Sequence, residues 1–139
     1  MMTRNRFLTL GLALVFWAGQ AFADVPGISK EELKALDAVV GTTMDGYNAK
    51  NHKQFYSTWA EQMKAIQTPQ AFQSLYVNMY HKDYGTLKSR TIDESRSTFS
   101  EVNGLIMYNA VFSKKKGTLA VNFFKEGGKY RVQQVQVNP

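Results

Sequence analysis

LIMYNAVF, residues 105–112, is followed after the basic turn Lys114–Gly117 by TLAVNFF, residues 118–124. In the second segment Leu119, Val121 and Phe123 alternate with Ala120, Asn122 and Phe124. That two-residue period is the mark of a strand with one buried face. The first segment is apolar on both parities, with Leu105, Met107 and Val111 on one and Ile106, Tyr108, Ala110 and Phe112 on the other. Two such runs joined by a short polar turn read as neighbouring antiparallel strands. The rest of the fold is read outward from this pair.

Toward the C-terminus, Glu126-Gly127-Gly128-Lys129 is a tight turn and Tyr130 to Val137 a further strand. Its apolar residues are Tyr130 and Val132, then Val135 and Val137, so the parity flips partway. A one-residue shift reverses the face of every later side chain, and a bulge near Gln133-Gln134 accounts for it. Upstream, Thr86 to Glu101 is polar and β-branched, with Asn103-Gly104 as a hairpin turn signal.

Before Gly85 the period changes to that of helices. Ser29 with Glu32 and Asn51 with Gln54 have capping-box spacing, and Thr68-Pro69 is an N-cap followed by proline at the first helical position. Three apolar stripes follow these starts. They are Leu33, Leu36, Val40, Met44 and Tyr47; Phe55, Trp59, Met63 and Ile66; and Phe72, Leu75, Tyr76, Met79 and Tyr80. The expectation is an α+β fold in which three N-terminal helices pack on a curved four-stranded antiparallel sheet.

The chain begins with a different kind of segment. Arg4 and Arg6 precede an apolar run, Phe7 to Trp17, and Ala21-Phe22-Ala23 follows as a small-x-small cleavage pattern. This order is that of a secretory signal peptide. The apolar run is well short of the ~20 residues that a spanning helix needs. Residues 1–23 are therefore expected to be a signal peptide and residues 24–139 a single α+β domain, periplasmic or secreted, with no membrane span.

Composition narrows the function classes. There are no cysteines, which excludes disulfides, thiolate metal sites, thiol catalysis and a lipidated N-terminal cysteine. The net charge of +6 includes Arg4 and Arg6, so without the leader it falls to +4, too mild to point to nucleic acid. An exported protein meets no ATP pool, and no phosphate-cradling glycine loop is present.

Four short segments carry a family resemblance: Asp45-Gly46-Tyr47-Asn48, Phe55-Tyr56-Ser57-Thr58-Trp59, Tyr84-Gly85-Thr86-Leu87-Lys88-Ser89-Arg90 and Gly128-Lys129-Tyr130-Arg131-Val132. With the helix-then-sheet order, the chain resembles the nuclear-transport-factor-2-like, cystatin-like superfamily, and within it uncharacterised secreted bacterial members. The resemblance implies a cone, a curved sheet wrapped around helices with a pocket at the open end. It implies no particular activity, because that fold hosts enzymes, binding modules and assembly domains.

Candidate site residues are those with apolar bodies and polar tips, or a charge at the mouth of such a cone. They are Tyr47, Trp59, Tyr84, Arg90 and Tyr108, proposed as ligand-binding, with a core role as the ordinary alternative for each ring. No catalytic residue, metal ligand or cofactor is assigned. His52 and His81 are far apart without a paired carboxylate motif, and His81-Lys82-Asp83-Tyr84 reads as a helix C-terminus, with an acid–base pair beside a pocket as the alternative. Lys114-Lys115-Lys116 reads as a solvated turn that protects a sheet edge. The two-sided apolarity of residues 105–112 points to a homodimer through the outer sheet face, the alternative being that sheet curvature and the helices cover both sides within one molecule. The expected function is a small exported binding or assembly module, non-enzymatic, for a small apolar or anionic ligand. The alternative is a cofactor-free isomerase, dehydratase or hydrolase using Tyr, Asp or His in the cone.

Overall fold

The computed structural model describes residues 24–139. The leader assigned to residues 1–23 lies outside them. Helix α1 (Lys30–Asn48) starts where Ser29 Oγ accepts the Glu32 N–H over 3.1 Å. It buries Leu33, Leu36, Val40, Met44 and Tyr47, as the spacing requires. Full burial of each such side chain contributes about 2 kcal/mol. Helix α2 (His52–Tyr56) is capped by Asn51 Oδ1, which accepts the Gln54 N–H.

Two helical expectations are corrected. The second helix does not run on through Ile66. It stops at Tyr56, and the backbone beyond it pairs with a strand: Val132 N–H donates to Thr58 O over 3.0 Å and Ala60 N–H to Val132 O over 2.7 Å. Only then does a 3₁₀ turn (Glu61–Ile66) follow. Those sheet-type bonds replace the intrahelical ones that the apolar spacing had promised.

Helix α3 begins as α-helix (Pro69–Phe72), widens to π-helix (Gln73–His81) and closes as α-helix (Lys82–Tyr84). The wider turn moves its buried face. Phe72 and Tyr76 are buried as expected, but the next inward residue is His81, and Met79 is left half exposed. A π-turn adds a residue between hydrogen-bonded partners, so the four-residue step from 72 to 76 is followed by a five-residue step to 81.

The sheet has five strands among the described residues, not four: β1 (Leu87–Ile92), β2 (Thr98–Phe99), β3 (Asn103–Phe112), β4 (Lys116–Glu126) and β5 (Lys129–Asn138). It is antiparallel and open, in the order β1-β3-β4-β5, with β2 also pairing β3. The extra strand arises because Asn103-Gly104 is not a turn. Gly104 lies in β3 under the ring of Phe99, in space that a Cβ would fill. The chain instead reverses over Ser100–Asn103, where Ser100 Oγ accepts the Val102 and Asn103 N–H groups.

The β4–β5 hairpin turns on Gly127 and Gly128, both at positive φ (60° and 82°), as its sequence requires. The register in β5 shifts where Asn122 faces Gln134 while Phe123 faces Val132, which leaves Gln133 as the bulged residue. Ile106, Tyr108, Leu119, Val121, Phe123, Val132 and Val135 thereby share one inner face and join the helices in one core. No helix among the described residues is long and apolar enough to cross a membrane.

Candidate functional site

The irregularities of α3 and β5 meet. Tyr76, in the π-helical stretch, donates its hydroxyl to Val135 O over 2.9 Å, and Thr58–Ala60 pairs with Val132. The bulged Gln133 lies between these two ties. Here a cleft of about 400 Å³ opens. Trp59, Met63, Ile66, Leu75 and Tyr76 form its apolar walls, and Asn122, Gln133 and Gln134 its polar one. Its lining is uncharged throughout. π-turns and bulges both concentrate at functional sites, where they re-aim side chains.

One lip of the cleft is held from a distance. The 3₁₀ turn carrying Met63 and Ile66 has no side-chain cap of its own. Glu126, from the β4–β5 hairpin, accepts the Glu61 N–H through Oε1 (3.0 Å) and the Gln62 N–H through Oε2 (3.2 Å). Gln67 Nε2 closes the turn on Ala60 O at 3.0 Å.

Behind the cleft, Phe55, Tyr56, Trp59, Phe72 and Tyr76 form an aromatic cluster, with Phe55 and Tyr76 4.4 Å apart between ring centres. Trp59 Nε1 is buried and has no hydrogen-bond partner among the described residues. Burial, followed by the neighbouring Tyr56 and Tyr80 hydroxyls, pushes the Tyr76 hydroxyl far above its ordinary range. The hydroxyl donates to Val135 O as the neutral phenol.

A second polar cluster ties α1 to the sheet. Asp37 Oδ1 accepts from Tyr108 OH at 2.8 Å and from Arg90 Nε at 3.2 Å, and Arg90 Nη2 donates to Asp37 O at 3.0 Å. Burial and then the Asp37 charge push the Tyr108 hydroxyl well up. Burial works against the Arg90 charge, but Asp37 and Tyr108 outweigh it and leave the guanidinium above its usual value. The Arg90 charge is therefore matched within the fold.

The third grouping sits where helices meet sheet. Tyr47 is fully buried, donates its hydroxyl to Gly85 O at 2.7 Å and stacks on the His81 ring at 4.1 Å. His81 Nε2 lies 2.6 Å from Tyr47 O, which fixes the proton on that nitrogen as the donor. Tyr84 packs on Phe112, with Lys115 Nζ 4.4 Å above its ring. Lys114 Nζ donates to Lys82 O at 2.7 Å and caps the end of α3.

The five residues singled out from the sequence thus fall in three places. Trp59 lines the cleft, Arg90 and Tyr108 join Asp37, and Tyr47 and Tyr84 brace the helix–sheet junction. Sequence reasoning did not assign Met63, Leu75, Asn122 or Gln133 to a site. The one signal for them was the parity flip at Gln133-Gln134, which marked the bulge without showing what faces it.

No family model matches the chain, and no curated protein matches it. Among solved structures, the chain is similar to that of Bd1075 from Bdellovibrio bacteriovorus, at 13% identity and a TM-score of 0.46. The likeness covers 76% of this chain and 40% of that one, so the chain spans well under half the length of that protein.

Proposed function

We propose that the chain is an exported, non-enzymatic module of the nuclear-transport-factor-2-like kind that binds a small, uncharged, largely apolar ligand in the cleft between α3 and β5. The observation that carries this reading is the convergence of a π-helical stretch and a β-bulge on one uncharged hollow of about 400 Å³. That size is within the range of small-molecule sites, and apolar walls with a few amides on one side are their usual chemistry. An anionic ligand fits less well, because Arg90 is engaged by Asp37 and Lys114 by Lys82 O. Export rests on the order of residues 1–23.

The test is a thermal-shift panel of small ligands on the protein and on Leu75→Trp, which fills the hollow. Uncharged apolar compounds are expected to raise the melting temperature of the first and not of the second. A panel in which only anions act would refute the reading.

Pairing of two copies over the outer sheet face is the second part of the proposal. Its support is Met107, set directly across from Ala120, with the 40% exposed Val111 farther along β3. Sedimentation velocity on the protein and on Met107→Lys decides it; a monomer at 100 μM or so would end it, since obligate dimers form far below that concentration.

The cofactor-free enzyme reading has the Asp37–Tyr108–Arg90 cluster as its support, a carboxylate within hydrogen-bond reach of a phenol. Against it, the carboxylate is already bonded by both donors and lines neither of the hollows described.

A further inference from the structure

A second hollow of about 280 Å³ adjoins the first, bounded by Phe99, Ser100, Asn103 and Leu105. The two share Asn122 and Gln133 as a common wall. Among the described residues Gln133 makes no side-chain hydrogen bond, and Asn122 makes one long one, from Nδ2 to Gln134 Oε1 at 3.4 Å. Two primary amides with spare donors and acceptors therefore stand between an aliphatic hollow and a polar one. Resting on the binding reading above, we propose that the two hollows are subsites of one groove that takes an extended, uncharged stretch of peptide.

Three observations favour that occupant. A peptide unit offers one N–H and one C=O, and a side-chain amide complements both at once. The aliphatic hollow, with Met63, Ile66 and Leu75, suits an apolar side chain next to that unit, while Ser100 and Asn103 offer further hydrogen bonds on the other side. A carbohydrate would gain most from an open aromatic face on which a sugar ring could stack. The rings at the groove offer none, for Tyr56, Trp59 and Tyr76 are only 8%, 6% and 4% exposed, with Tyr56 edge-on to Trp59 and Tyr76 tilted against Phe55.

The experiment titrates the full chain, followed by methyl and amide NMR, with blocked pentapeptides acetyl-Ala-Ala-Xaa-Ala-Ala-amide in which Xaa is Leu, Met, Phe, Lys or Glu. 1-Decanol serves as a probe of the aliphatic hollow alone and maltohexaose as the carbohydrate. The apolar peptides are expected to move the signals of both Met63 and Leu105, and Lys or Glu at Xaa to weaken binding at least tenfold. Methylating the peptide nitrogen that follows Xaa should cost a further tenfold, and Asn122→Leu should do the same. If 1-decanol binds while the peptides leave Leu105 unmoved, or if maltohexaose binds at the amides, the peptide proposal is overturned and the cleft reading stands. Silence from 1-decanol and the peptides together overturns both.

Discussion

Tyr76 and Val135 are joined by a 2.9 Å hydrogen bond that runs from a π-helical side chain to a strand carbonyl just past the bulge. The pair fixes one side of the cleft and shows how the two irregular elements depend on each other. The π-turn is what keeps His81 buried as well, five residues after the inward Tyr76. The carbonyl it meets is available because, among the described residues, β5 has no strand partner on that edge beyond Val132.

Tyr76→Phe keeps the ring packing and removes only the hydroxyl, leaving the Val135 carbonyl without this donor. The expected loss is about 1–2 kcal/mol, the cost of one buried unsatisfied acceptor. Urea denaturation checks it, and a loss below about 0.3 kcal/mol would mean that water replaces the hydroxyl.

Glu126 acts on the opposite lip. Glu126→Ala removes the carboxylate that accepts the Glu61 and Gln62 N–H groups. Global stability should fall by no more than about 1 kcal/mol, the usual worth of such a cap. Amide hydrogen exchange at Glu61 and Gln62 should quicken about tenfold, as local opening of the 3₁₀ turn becomes easier. Unchanged exchange at those two amides would show that the turn is held by something else.

The fold was legible where side-chain pattern alone decides it. Leu119, Val121 and Phe123 face inward as their alternation requires, the Gly127-Gly128 turn forms, and the flip after Val132 is a bulge. What stayed hidden was decided by distant backbone partners. Nothing local in Thr58-Trp59-Ala60 says that Val132 will pair with it, and the Asn103-Gly104 signal was overridden by Phe99 lying over the glycine. The π-turn is a change in backbone bonding that leaves the α-like spacing of Phe72, Leu75 and Tyr76 intact. The site suffered for the same reason: Trp59 was visible as an aromatic, but its setting beside the bulge depends on that unseen pairing.

Asp37→Ala leaves the Arg90 guanidinium and the Tyr108 hydroxyl without their shared acceptor. Because the ion pair keeps about a quarter of its side-chain surface in water (25% and 23%), the expected cost is about 2 kcal/mol rather than the ~3–5 kcal/mol of a fully buried pair. Asp37→Asn retains an acceptor and should cost less. Thermal and urea denaturation of the two variants checks the order; an Asn variant as weak as the Ala variant would place the stability in the charge alone.

His81 makes the stability of the fold depend on pH below the ordinary imidazole value. Burial first, then the charges of Lys50 and Lys114, hold its imidazole below the ordinary value of 6.5, against the opposing pull of the Tyr47 carbonyl. The unfolded chain therefore takes up a proton at a higher pH than the folded one does. Stability contributed by neutral His81 is full above about pH 6.5 and is lost as pH falls from there through the lower folded value. His81→Gln should flatten the stability profile between about pH 6.5 and 5, a window above the ordinary range of carboxylates. Parallel profiles for the two proteins would contradict this assignment.

The measurement closest to the heart of the account is the NMR signal of the Trp59 indole N–H during titration with 1-decanol. A saturable shift of that signal, together with those of Met63 and Leu75 and absent from Leu75→Trp, is the expected result. A saturable shift that leaves these three residues unmoved and appears instead around Asp37, Arg90 and Tyr108 would contradict it.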